Sequence, residues 1–235
     1  MQDKTTLDGI SPPVDSFKSF SLIKKNKNPI KTRIMKKWTT LMLLGLLFCS
    51  GFTSLSGQVH HIETNLFTVD YDEGLEQPIK LSYTVQCATG DASRHGLNFW
   101  KVDGYHTSDN DDYKNNPYDK GHLAPAAAFN CDRDMVKATF SYLNCALQHE
   151  GLNRGPWKEL EAAERVLAIY YDVDVTIDVI FDSNPKRVPG GAAIPKAFRK
   201  IITINHHAIY EYYFPNEDVA GQDWWTFGTE GNPVK

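Results

Sequence analysis

Cysteine, positive charge and long apolar runs are all scarce in this chain. The four cysteines, Cys49, Cys87, Cys131 and Cys145, lack the paired short spacing of a structural zinc site. Basic residues do not outnumber acidic ones: 25 Lys and Arg face 29 Asp and Glu, which excludes a generally basic nucleic-acid binder. The main apolar run, Leu41 to Phe52, covers 12 residues, short of the roughly twenty that span a membrane. Internal repeats and low-complexity linkers are also missing.

That short run has another reading. Met35-Lys36-Lys37 precedes it, and the small residues Ser54, Ser56 and Gly57 follow, the order of a secretory signal with its cleavage site. A retained anchor is the alternative. Lipidation at Cys49 fits poorly, because Phe48 stands where a lipoprotein signal wants a small residue. Residues 1–34 read as an upstream extension, non-native or disordered, with Met35 as the biological start; 35–56 read as the signal peptide. Residues 57–235 are then a single domain with a substantial core, secreted or periplasmic and without a stable membrane anchor.

Removing the signal changes the charge. Residues 1–56 hold nine Lys and Arg but only three Asp, leaving 16 basic against 26 acidic residues, a balance of about −10. A polyanion would have to be held by a local patch, for which Arg94, Lys120, Arg133, Arg154 and Lys158 are the candidates; the bland reading makes each a solvated surface charge. Of the three remaining cysteines, one pair can form a disulfide in an oxidising compartment and one thiol is left over. Cys131 with Cys145 would close a short loop, though spacing does not establish the geometry.

Alternation in Ile79, Leu81, Tyr83 and Val85, and in Val173, Val175, Ile177 and Val179, predicts strands with one buried face. Ile201 to Ile204 and Ala208 to Phe214 flank Asn205-His206 and predict a hairpin. Pro156 to about Tyr170 reads as a helix, with Pro at its start, Glu159 and Glu161 early, and Leu160, Ala163, Val166 and Leu167 at helical spacing. The Asp- and Asn-rich stretch from Gly104 to Pro117 reads as an exposed loop. One α+β domain is the economical sum.

Two blocks carry chemistry: Asp119-Lys120-Gly121-His122, and Asn153-Arg154-Gly155-Pro156-Trp157 with Glu161 four residues on. Phosphodiester hydrolysis needs a base to activate water, cationic stabilisation of the phosphoryl oxygens and help for the departing oxygen. His122 is a suitable base, since an ordinary imidazole pKa of about 6.5 leaves it largely neutral yet able to take a proton. The following Leu123-Ala124-Pro125 disfavours helix, which places His122 at a strand end. A hard cation such as Mg²⁺ wants oxygen ligands and keeps much of its water. The Asn153 amide oxygen would hold it without cancelling its charge, and Glu161, eight residues later, would approach through a bound water. Taken singly, each residue has an ordinary reading: a structural His, an N-cap Asn, a Glu complementing a helix dipole.

Together the blocks resemble those of the DNA/RNA non-specific endonucleases, the ββα-metal family of sugar-nonspecific nucleases. Asp119-Lys120-Gly121-His122-Leu123-Ala124-Pro125-Ala126 is similar to the family's Asp-Arg-Gly-His-Leu-Ala-Pro-Ala, and the second match runs from Leu143-Asn144 through Gln148 to Asn153 and Glu161. Weaker echoes are Arg94 before Asn98-Phe99, and Ile194 to Lys200. The resemblance implies a central, mostly antiparallel sheet flanked by helices with a ββα-metal motif, and cleavage of DNA and RNA with little sequence preference to 5′-phosphate ends. It implies His122 as general base, Asn153 as the direct Mg²⁺ ligand (with Mn²⁺ able to substitute) and Glu161 acting through metal-bound water, with Asn144 among the catalytic residues as their support. Arg94, Lys120, Arg154 and Gln148 are its implied substrate-binding residues; it is compatible with a homodimer.

Two departures stand out. Lys120 replaces the family's usual Arg, keeping the charge but losing the bidentate fork. Cys145-Ala146-Leu147 stands where Ile or Met and a Pro are common, so the local turn can differ. Two other readings are a relative that binds nucleic acid without cutting it, and a zinc hydrolase built on His60-His61 and His206-His207; adjacent histidines point to opposite strand faces and chelate poorly. For the signal reading, mass spectrometry of protein recovered outside the cytoplasm should find an N-terminus near Gly57; an N-terminus at or before Met35 would contradict it.

Overall fold

The computed structural model describes residues 57–229, so the expected extension at 1–34 and signal at 35–56 lie outside the described residues. Strands β1 (Val59–Glu63), β2 (Phe67–Asp72) and β3 (Gln77–Thr84) come first; β4 (Tyr118–His122) and β5 (Cys145–His149) form a separate two-stranded sheet; β6 (Val173–Ile180), β7 (Ala197–Ile204) and β8 (Ala208–Pro215) complete the main one. Its order is β1-β2-β3-β6-β7-β8, antiparallel throughout. Three helices intervene: α1 (Arg133–Ala138), α2 (Glu150–Arg154) and α3 (Pro156–Leu167). This is the expected α+β architecture.

Period-two patterning decides the sheet's faces. Val69, Tyr71, Leu81, Tyr83, Val173, Val175 and Ile177 point into one core, to which α3 adds Trp157 and Leu160. Burying side chains of this size contributes about 1.5–3 kcal/mol each. The opposite face carries polar and charged partners, with Ser82 bonded to Thr176 and Arg199 paired with Asp178 and Glu211. The β7–β8 hairpin forms as read: Asn205 and His206 take φ of 50° and 61°, the positive values of a tight primed turn. α3 begins at Pro156 and ends at Leu167, three residues short of the expected Tyr170.

Two expectations change. The Gly104 to Pro117 stretch is no plain exposed loop: it contains a 3₁₀ turn at Asn110–Tyr113, and Thr107, Ser108 and Asp112 are buried. Asp112 holds it in, accepting from the amides of Asp109 and Ala192, while the Ser108 amide donates to Tyr71 Oη. Backbone bonds that periodicity cannot foresee make the loop a support. The disulfide joins Cys87 to Cys131, leaving Cys145 as a buried thiol against Tyr113 Oη at 3.2 Å. Cys145 and the residues after it form a regular strand, paired Tyr118↔His149 through His122↔Cys145.

α3 is fastened by a charge pair inside the core. Lys200 Nζ on β7 donates to Glu164 Oε1 at 2.8 Å, Tyr83 Oη on β3 donates to Glu164 Oε2 at 2.8 Å, and the ammonium lies 4.0 Å from the Trp157 ring centroid. Lys200 and Glu164 are 0% and 1% exposed at the side chain. Removing one partner of such a pair strands the other's charge. Glu164→Gln should therefore cost about 3–5 kcal/mol in urea unfolding, and Glu164→Leu with Lys200→Met should recover most of that loss. Equal stability of wild type and Glu164→Gln would show that the pair does not hold α3.

Candidate active site

The β4–β5 hairpin brings the first block to the helices of the second. His122 ends β4 opposite Cys145, and Asp119 pairs across to Gln148. Gly121 is required there: a Cβ would sit 2.4 Å from Gln148 Oε1. β5 then leads into α2, which ends at Arg154; Gly155 breaks the helix and Pro156 starts α3. A cavity of about 740 Å³ lies between them. Lys120 and His122 enter it from β4, Asn153 and Arg154 from α2, Lys158, Glu161 and Arg165 from α3, and Arg94 and Phe99 from the preceding loop.

The His122 ring is wedged between Phe99 and Phe140, with centroids 4.7 Å and 4.8 Å away. Its Nε2 is buried and has no partner among the described residues. Burial, and then the nearby Arg94, pull its pKa down to about 3, so the imidazole is neutral throughout the physiological range. Asn153 Nδ2 donates to Asp119 Oδ2 at 2.9 Å, which commits the amide nitrogen and leaves its oxygen unspent. Glu161 is half-buried. Burial pushes its carboxyl up to about 7, against the pull of Lys200 and with Glu164 reinforcing the rise.

The basic residues divide into spent and available. Arg154 lies bidentate on Asp119, Nε to Oδ2 at 2.8 Å and Nη2 to Oδ1 at 2.7 Å, and also meets Glu150 at 2.9 Å. Burial raises the Asp119 pKa, but the bonds from Arg154 and Asn153 outweigh it and hold the carboxylate below its usual range. Arg133 is likewise spent, donating to the carbonyls of Ser93 and His95 and so steadying the Arg94 loop. Arg94, Lys120 and Lys158 form no ion pair among the described residues.

Two expected site residues stand elsewhere. Asn144, grouped above with the catalytic residues, is 0% exposed, and its amide is consumed by backbone: Oδ1 accepts from Ala124 N, and Nδ2 donates to the carbonyls of Ala124 and Thr139. It fixes the chain just after His122 and does not line the cavity. Gln148, expected to bind substrate, is also 0% exposed, packed over Gly121. Residues not foreseen are Arg165, one turn after Glu161 on the same helical face and so legible from spacing, and Asp119 as the clamp. The histidine pairs are dispersed: His60 meets Glu73, His61 meets Asp70, and His206 meets Asp174. No three His, Cys, Asp or Glu side chains converge on a metal-holding cluster among the described residues.

Residues 48–230 match the family model described as DNA/RNA non-specific endonuclease. The chain belongs to this family. Mitochondrial endonuclease G from Bos taurus and from Homo sapiens are each 32% identical over 130 residues, covering 53% of this chain and 42% of each relative. A nuclease of Serratia marcescens is 30% identical over 120 residues, covering 46% of this chain and 44% of the relative. The matched stretches thus span less than half the length of these curated relatives. The fold is also that of endonuclease G in a crystal structure of its complex with EndoGI, with a TM-score of 0.65 and 23% identity over 74% of this chain and 81% of the other.

The raised Glu161 pKa makes a stability prediction for this family member. Its folded value, about 7 against 4.5, means that the folded state binds the extra proton between those values, so this group's contribution worsens as pH rises through that window. In chelator, Glu161→Gln should unfold about 1–2 kcal/mol later than wild type at pH 8 and no later at pH 4. A gain of equal size at both pH values would contradict the assignment.

Proposed function

We propose that this chain is a Mg²⁺-dependent endonuclease, secreted or periplasmic, that hydrolyses DNA and RNA with little sequence preference and leaves 5′-phosphate ends. One observation carries the proposal: two blocks more than thirty residues apart converge on one cavity that holds a neutral imidazole, an unspent amide oxygen, a carboxylate and unpaired cations. The donor set fits a hydrated hard cation. Asn153 Oδ1 is left free by the Asp119 bond, and Glu161 lines the same cavity, so Asn153 would hold the ion directly and Glu161 through water. When bound, Mg²⁺, or Mn²⁺ in its place, supplies Lewis-acid stabilisation of the charge building on the phosphoryl and departing oxygens.

The chain's own residues supply the rest. His122, neutral and held by two aromatic rings, takes the proton of the attacking water as the water oxygen bonds to phosphorus and the bond to the 3′ oxygen breaks, the departing oxygen taking a proton from solvent. Arg94, Lys120, Lys158 and Arg165 line the same cavity and would meet the phosphate there. These contacts address backbone charge and no base edge, which accounts for cleavage with little sequence preference. Because the grip is local on a chain of acidic balance, it is also sensitive to screening.

Plasmid DNA, single-stranded DNA and RNA should all be cut in Mg²⁺ and spared in EDTA. His122→Ala should lose about 10²–10⁴-fold in rate, Asn153→Ala should lose metal-dependent activity, and binding should fall steeply between about 50 and 200 mM salt. Intact substrates with the wild type, or undiminished cutting by His122→Ala, would overturn the mechanism; binding without cutting would identify a catalytically impaired relative.

A further inference from the structure

Lys120, the residue that departs from the family's Arg, is held in an unusual way for a cation. Its Nζ donates to Asn110 Oδ1, and the rings of Phe99, Tyr113 and Tyr142 surround it at 5.8, 5.7 and 5.6 Å from their centroids. Tyr142 Oη donates to the same Asn110 oxygen at 2.9 Å, which settles which end of the amide faces the ammonium, since Lys and this hydroxyl both donate. Asn110 opens the 3₁₀ turn that Asp109 caps from one side and buried Asp112 fastens from beneath. Its neighbours Asp109, Asp111 and Asp112 are all carboxylates, yet the side chain that meets Lys120 is the neutral one. A carboxylate there would pair with the ammonium and cancel it; an amide and three aromatic faces fix the position while leaving the charge unpaired. Lys120 lines the cavity beside His122, and no ion pair to it forms among the described residues.

We infer that Asn110 is a positioning residue for phosphate binding, an uncharged tether that keeps the Lys120 ammonium in place and available to the nucleic-acid backbone. The inference rests on the nuclease reading and adds to it how this chain works with Lys where a guanidinium fork is usual. The single point charge of Lys has no planar geometry of its own to orient it. The tether supplies that orientation from the Asp- and Asn-rich segment, in which Asp109 and Asp111 instead meet the exposed Lys101 and Lys114.

The test is an equilibrium titration of the full chain with a short DNA duplex in EDTA, where cleavage does not intervene, from about 50 to 200 mM salt. Asn110→Asp should bind about tenfold more weakly at the low end, and the slope of log affinity against log salt should become shallower by about one, because one phosphate contact is neutralised. Asn110→Ala should keep the wild-type slope, since the lysine charge survives, and lose affinity less than Asn110→Asp. Lys120→Gln should reproduce the slope of Asn110→Asp, and it supplies the same readout should the aspartate variant fail to fold. Wild-type slopes in Asn110→Asp or in Lys120→Gln would overturn the inference, as would Asn110→Ala and Asn110→Asp changing the slope alike, which marks a merely structural role. A wild-type chain that binds no duplex at any salt is a different failure: it removes the nuclease reading, and the tether's function with it.

Discussion

The position of α3 depends on a charge pair with almost no water around it. Glu164 accepts from Lys200 on β7 and from Tyr83 on β3, so a single carboxylate ties the helix to two strands of the main sheet. Such a pair is weak as a source of net stability and strong as a constraint on geometry, because any shift of the helix separates desolvated charges. Glu161 lies one turn before Glu164 and Arg165 one residue after it, and both line the cavity. The buried pair thereby sets the distance between the site's carboxylate and the hairpin that carries His122.

Within the site, the recurring device is a polar side chain fixed by one end and left unspent at the other. Asp119 takes the amide nitrogen of Asn153 and leaves the oxygen. Phe99 and Phe140 hold the His122 ring while leaving Nε2 unpaired. Asn110 holds Lys120 without neutralising it. Arg154 is the contrasting case, with its guanidinium spent on Asp119 and Glu150; it organises the clamp, while Arg94, Lys120, Lys158 and Arg165 line the cavity. This division explains how an acidic chain can present a locally basic cavity.

Much of this was legible beforehand, unevenly. The strands through Leu81 and Val175, the hairpin at Asn205-His206 and the helix opened by Pro156 all follow from period and turn chemistry, which depend on near neighbours. The two blocks were legible as a site because their residue types match what phosphodiester chemistry requires. Asn144 and Gln148 share those polar types, yet they spend or bury their amides behind β4. Arg165 was readable from its spacing to Glu161, whereas the anchored 3₁₀ turn around Asn110 was hidden in a stretch whose composition says only loop.

Local sequence pattern was enough for the fold class, for strands β3, β6, β7 and β8 and the start of α3, for the family resemblance, and for His122, Asn153 and Glu161 as the residues to examine. Which of the polar groups are free to act follows from long-range contacts in the folded chain. The bonds that commit Asn153 and Arg154 reach back 34 and 35 residues to Asp119, the one that steadies Lys120 spans 10 residues, and the disulfide closes over 44. A side chain's chemistry is written in its type, but its availability depends on what occupies its donors and acceptors, and those partners are brought to it only by the folded chain.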